Sequence, residues 1–126
     1  MSAEMGLAQV VNLSQLPPQT FFIVYSGDLR ISEISEGIVL VLASWSGPSI
    51  AHVNGALRLL SELNYPGKTY VVDTDCMNPE FQLKTFGEVC HGWGELFVIS
   101  QGMIVRKYLG KTCLMDFQKD GLPPAS

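Results

Sequence analysis

Apolar positions change their spacing several times along this chain, and each change marks an element. Phe21-Phe22-Ile23-Val24-Tyr25 is rich in β-branched and aromatic residues and stops at Ser26-Gly27-Asp28, the pattern of a short strand closed by a turn. In the mixed stretch 29–36, Ile31 and Ile34 lie three apart and suit one or two helical turns. Gly37-Ile38-Val39-Leu40-Val41-Leu42-Ala43 is a continuous apolar run between polar neighbours, which fits a central strand covered on both faces. From Ser49 the period becomes helical. Ile50, Val53, Leu57 and Leu60 share one stripe, Ala56 and Leu63 widen it, and Pro66-Gly67 supplies the stop.

Thr69-Tyr70-Val71-Val72-Asp73 restores a strand, so residues 37–73 read as a βαβ crossover. Asn78-Pro79-Glu80 has the cap, first-turn proline and acid that open a helix, carrying Phe81, Thr85 and Phe86 before Gly87. Glu95-Leu96-Phe97-Val98-Ile99 and 103–108 flank Ser100-Gln101-Gly102, a hairpin signal. Thr112 can cap a last short helix with Leu114, Met115 and Phe117, ended by Gly121 and two prolines. Residues 1–20 show little periodicity and end in Leu16-Pro17-Pro18-Gln19, which reads as a lead-in segment. This order mixes a parallel crossover with an antiparallel hairpin. The expected fold is an α/β three-layer sandwich with a mixed sheet, one domain over 1–126 with a tail at 119–126.

Composition narrows the function classes. A chain of 126 residues with 47% hydrophobic and 16% charged residues is sized for one core. Its net charge is −4 and its lysines and arginines are scattered, so no basic stripe points to nucleic acid. No apolar run approaches the roughly 20 residues that cross a bilayer, and no basic start precedes an apolar signal core; a soluble, cytoplasmic protein with no membrane partner is expected. Cys76, Cys90 and Cys113 form no CxxC pair, and two histidines with dispersed cysteines make no metal set. They read first as reduced thiols that behave as small core hydrophobes, with no cofactor implied.

The one sharp local motif is Ala43-Ser44-Trp45-Ser46-Gly47-Pro48-Ser49, where the buried strand turns into the helix. Here the chain resembles the thioredoxin family, whose signature at this junction is Trp-Cys-Gly-Pro-Cys. Trp45, Gly47 and Pro48 match it, and Ser46 and Ser49 stand where the two cysteines would be. The resemblance spans 37–111 by element order, with further matches at Asn78-Pro79, Gln101-Gly102 and Leu109-Gly110. It implies the thioredoxin-like fold.

In that family a thiol at the helix N-terminus is acidified by the helix dipole and free N–H groups, and its thiolate attacks disulfides. A serine hydroxyl is far too weak an acid for this and forms no disulfide. Two other departures follow from the resemblance: the family's buried acid would fall at Leu40, and its cis-proline facing the motif at Gly94. Loss of thiols, acid and proline together reads as a natural redox-inactive variant.

The resemblance therefore implies a protein-binding role, as adaptor, chaperone, inhibitor or immunity-type protein, through the face that holds the active site in thioredoxins. That face would comprise Trp45, Ser46, Gly47, Pro48 and Ser49, with His91, Trp93 and Gly94 opposite and Leu109 and Gly110 beside them. Trp45 could anchor a partner or simply pack over the helix start, and Trp93 between glycines could face Trp45 or plug the core. The partner is a protein of unspecified identity; an exposed tryptophan surface could also pair two copies of the chain. A Ser–His hydrolase from Ser46 and His91 would need an orienting acid, for which only Glu88 or Glu95 offers, and no nucleophile elbow is present. The remaining alternative is a thiol-dependent oxidoreductase of altered design using Cys90, whose neighbour His91 could lower its pKa, or Cys76.

Overall fold

After its first residue, strand β2 (Glu36–Leu42) is apolar throughout because the side chains from Ile38 on alternate between two separate cores. Ile38, Leu40 and Leu42 enter the first, and Val39 and Val41 enter the second. All five are at most 1% exposed. The computed structural model describes residues 3–121, with side chains from Leu7 onward.

Around β2 the strands β1 (Thr20–Ile23), β3 (Lys68–Asp73), β4 (Leu96–Ser100) and β5 (Met103–Tyr108) form a five-stranded sheet in the order β1-β3-β2-β4-β5. β3 pairs in parallel with both β1 and β2, whereas β2 with β4 and β4 with β5 are antiparallel. The sheet is therefore mixed, as expected for the crossover and the hairpin. The hairpin turns through Gln101 and Gly102 at φ 51° and 76°, the left-handed pair that matches the twist of the flanking strands. A bulge between Val98 and Ile99 on β4 and Arg106 and Ile104 on β5 leaves Val105 as the extra residue.

Helices α1 (Ala3–Val10), α2 (Gly47–Glu62) and α4 (Cys113–Asp120) supply the first core, and α3 (Pro79–Phe86) the second, so the sheet is sandwiched in three layers. The stripe on α2 buries Val53, Ala56, Leu57 and Leu60, while Ile50 is only partly covered. Burial of a valine or leucine side chain here is worth about 1.5–3 kcal/mol. Leu63, expected on the same stripe, is 51% exposed because it is the C-cap, where the chain has begun to leave the helix. α3 begins as the sequence requires: the Asn78 side chain accepts the Phe81 N–H at 2.8 Å, and Gly87 at φ 73° ends it. The Phe86 ring stacks on Phe97 at 4.3 Å between centroids, tying α3 to β4.

Two expectations are corrected. The segment 1–20 is more than a lead-in, because α1 places Leu7, and Val11 just after it, in the first core at 1% and 6% exposure. Two anchors one turn apart suffice to dock a helix of eight residues, which leaves too little periodicity to read. The stretch 29–36 does hold one helical turn, the 3₁₀ turn Ile31–Glu33, with a second at Ser26–Asp28 ahead of it. Of the expected tail, 119–120 belong to α4, and 122–126 lie outside the described residues.

Candidate functional site

β2 delivers the chain to the mouth of α2 at Ala43, and the motif forms the turn between them. Ser46 is the N-cap, with extended backbone, and its hydroxyl oxygen accepts the Ser49 N–H at 3.3 Å. Pro48 in the first turn has no N–H to leave unsatisfied there. The expected capping role of Ser46 is thus present. Its hydroxyl also donates to the Gly92 carbonyl at 2.7 Å, crossing from the motif to the loop that precedes β4. Ser49 is fully buried, and its hydroxyl oxygen accepts the N–H of Ala43 at 2.9 Å. Both serines are therefore committed to holding the strand-to-helix turn.

Trp45 is the opposite. It is 66% exposed, and its indole N–H donates to Asp75 Oδ1 at 3.3 Å. Its ring edge lies over Gly92, where a Cβ would sit 3.0 Å from Cη2. Gly92 has φ 80°, so both the backbone conformation and the space under the indole favour glycine. Of the two placements open to Trp93, the structure takes the second: the loop meets the Trp45 indole through Gly92, and Trp93 is half-buried against the first core.

Gly94, which the resemblance aligns with a cis-proline, has φ 83°, and among the described residues no peptide bond is cis. A Cβ at Gly94 would lie 3.0 Å from the Ser49 carbonyl oxygen and 3.1 Å from His52 Cβ, so this residue does face the start of α2. Leu40, aligned with the family's buried acid, sits fully buried in the first core.

Three further residues organise this face: Glu95, at the end of the expected 91–95 stretch, and His52 and Cys113, which lie outside it. Glu95 is 1% exposed, and its carboxylate accepts the His91 N–H at 2.9 Å and the Trp93 N–H at 3.1 Å. His52 Nδ1 is 2.6 Å from the Trp93 carbonyl, a contact that requires the proton on Nδ1. Cys113, first residue of α4, places Sγ 3.5 Å from the same Nδ1, 3.4 Å from the Trp93 carbonyl and 3.5 Å from the Gly94 carbonyl. With Nδ1 already a donor, the thiol donates to the carbonyls. Sequence carried one signal for these: an acid opening the apolar run of β4. Leu109 precedes, and Gly110 begins, the 3₁₀ turn Gly110–Thr112 that delivers Cys113 to this loop; Leu109 is exposed, and neither is hydrogen-bonded to the motif.

The imidazole of His91 is exposed and makes no hydrogen bond to either serine, whose partners are backbone groups. Glu95, the acid a Ser–His pair would need, is spent on loop amides. No Ser–His dyad is assembled. Asp73 accepts from the Asp75 N–H at 2.9 Å, and among the described residues no group of His, Cys, Asp and Glu is arranged to hold a metal ion.

Burial governs the thiols. Cys90 is pushed up to about 12 by burial, with Glu95 and Glu88 adding to the effect. Cys76 rises to about 11 from burial and the charge of Asp73, and Cys113 to about 11 from burial and Glu95. The charges that act on the Cys90 thiol are those of carboxylates, and the Cys90 backbone N–H is held by Gln82 Oε1 at 2.8 Å.

Neither a protein-family model nor a curated protein matches the sequence. Solved structures do match its fold. The chain is similar to a mutant thioredoxin from Halobacterium salinarum, at 19% identity and TM-score 0.58, over 86% of this chain and 97% of that one. It is also similar to the thioredoxin of Schistosoma mansoni, at 20% identity and TM-score 0.60 over 82% and 96% of the two chains. A third, the thioredoxin of Trypanosoma brucei brucei, gives 20% identity and TM-score 0.58 over 86% and 94%. The fold is thioredoxin-like. No described helix is long and apolar enough to cross a membrane.

Proposed function

We propose that this protein binds another protein through the face built around Trp45 and does not exchange disulfides there. The observation that carries the reading is the division of labour within the motif. Ser46 and Ser49 use their hydroxyls to hold the turn, while Trp45 between strand and helix is left largely exposed. A large, rigid aromatic fixed by one hydrogen bond loses little freedom on binding, which is why such residues anchor interfaces. Gly47 and Pro48 beside it are exposed, and His91 stands exposed on the facing loop. The role is that of an adaptor, chaperone, inhibitor or immunity-type protein, and the partner is a protein.

The absence of thiols at positions 46 and 49 supports a non-enzymatic reading, because a hydroxyl neither ionises near neutral pH nor forms a disulfide. Against the alternative, an oxidoreductase using Cys90 or Cys76, stand the buried Cys90 and the half-buried Cys76, whose thiols are pushed up to about 12 and about 11. A dithiothreitol-coupled assay on a model disulfide substrate tests the chemical half of the proposal. The expected result is no acceleration over dithiothreitol alone; turnover lost on Cys90→Ala or Cys76→Ala would establish the oxidoreductase instead. A homodimer is a further outcome, detected as concentration-dependent sedimentation that Trp45→Ala abolishes.

A further inference from the structure

The loop from His91 to Gly94 lies outside any strand, yet side chains bond most of its inward backbone groups. Glu95 takes the amides of His91 and Trp93 at 2.9 and 3.1 Å. Ser46 donates to the Gly92 carbonyl at 2.7 Å, and His52 to the Trp93 carbonyl at 2.6 Å. Cys113 approaches the Trp93 and Gly94 carbonyls at 3.4 and 3.5 Å. The Glu95 carbonyl accepts the Val41 N–H at 2.9 Å, which staples the end of the loop to β2.

Burying a carboxylate is costly unless hydrogen bonds replace its water, and among the described residues no cation forms an ion pair with Glu95. Its compensation comes from the loop amides, and such charge-assisted bonds are about twice as strong as neutral ones. Each oxygen serves a different N–H, so a glutamine of the same shape would supply one acceptor and turn an NH₂ toward the other donor.

We infer that Glu95 is a positioning residue. It fixes residues 91–94 in one shape against the motif, with Gly92 beneath the Trp45 indole, so that this face is assembled before any partner arrives. Calling it a partner-binding face rests on the proposed function; the positioning itself does not.

Amide hydrogen exchange by NMR on the full chain tests this without a partner. In the wild type the amides of His91 and Trp93 should exchange at least about 100-fold more slowly than in an unstructured chain. In Glu95→Gln the protection of at least one of the two should fall at least about tenfold while the amides of β2 keep theirs, and the tryptophan fluorescence should change as the support of Trp45 loosens. Ser46→Ala, which leaves Glu95 in place, should retain protection at both amides. Unprotected His91 and Trp93 amides in the wild type would overturn the inference whatever the variants do. So would unchanged protection in Glu95→Gln, or equal loss in Ser46→Ala. A protected loop on a protein whose partner ignores Trp45 would instead overturn the functional reading and leave Glu95's role standing.

Discussion

The Ser46 hydroxyl donates to the Gly92 carbonyl at 2.7 Å while its oxygen takes the Ser49 N–H at 3.3 Å, so one side chain both caps α2 and ties the motif to the facing loop. Ser46→Ala removes both bonds and should cost about 1–2 kcal/mol of stability by urea denaturation. Ser46→Cys should recover less than half of that loss, because sulfur makes longer and weaker hydrogen bonds. Equal stability of all three proteins would show that the pair of bonds contributes nothing.

Ser49 makes a different prediction. The buried Ala43 N–H gives its proton to the Ser49 hydroxyl at 2.9 Å, and with that acceptor gone it would be left without a partner. Ser49→Ala should therefore destabilise by about 1–3 kcal/mol despite the removal of a single oxygen from a packed site. A change within measurement error would mean that the turn relaxes to satisfy Ala43 elsewhere.

Residues differ in how plainly the sequence announces them, and the difference is physical. β2 reads from its unbroken apolar run and α2 from a stripe at helical spacing, because each element contacts the core along most of its length. The junction between them reads from Ser46, Gly47 and Pro48, residue types whose local chemistry is the same in any context. α1 escapes notice because two residues, Leu7 and Val11, do its docking. Glu95 stands out as an acid opening an apolar run, but its role does not, because its partners are backbone amides, which carry no side-chain signature. His52 and Cys113 meet across 61 positions of sequence, a contact that only the fold creates.

The buried thiols set a pH dependence. Cys90 holds its proton to about 12 in the folded chain against 9.0 for the free group, so above pH 9 the unfolded chain loses a proton that the folded chain keeps. The stability from this group is intact below pH 9 and declines as pH rises toward about 12. Tyr65, raised to about 12 from 10.0 by burial, acts in the same direction. Stability curves of wild type and Cys90→Ala, followed from below to above the free-thiol value of 9.0, should diverge above pH 9. The wild type should fall more steeply, by up to about 1.4 kcal/mol per pH unit. Parallel curves would show that Cys90 ionises normally.

Fluorescence separates the two tryptophans. Trp45 is 66% exposed, whereas Trp93 is half-buried against the first core. Iodide should quench Trp93→Phe, in which Trp45 is the sole emitter, at least about twice as strongly as Trp45→Phe, since a collisional quencher needs solvent contact that a packed indole lacks. Equal quenching would place Trp93 at the surface and remove the asymmetry on which the binding face is drawn.

If recognition runs through the Trp45 face, partner capture depends on the indole and on no thiol. Affinity capture from the native host's lysate under reducing conditions, comparing wild type, Trp45→Ala and Cys76→Ala/Cys90→Ala by quantitative mass spectrometry, tests it most directly. A protein should be retained equally by the wild type and the cysteine variant and depleted at least about tenfold by Trp45→Ala, the loss of roughly 1.4 kcal/mol or more expected of an anchoring aromatic. Retention that ignores Trp45, or that disappears with the two cysteines, would contradict it.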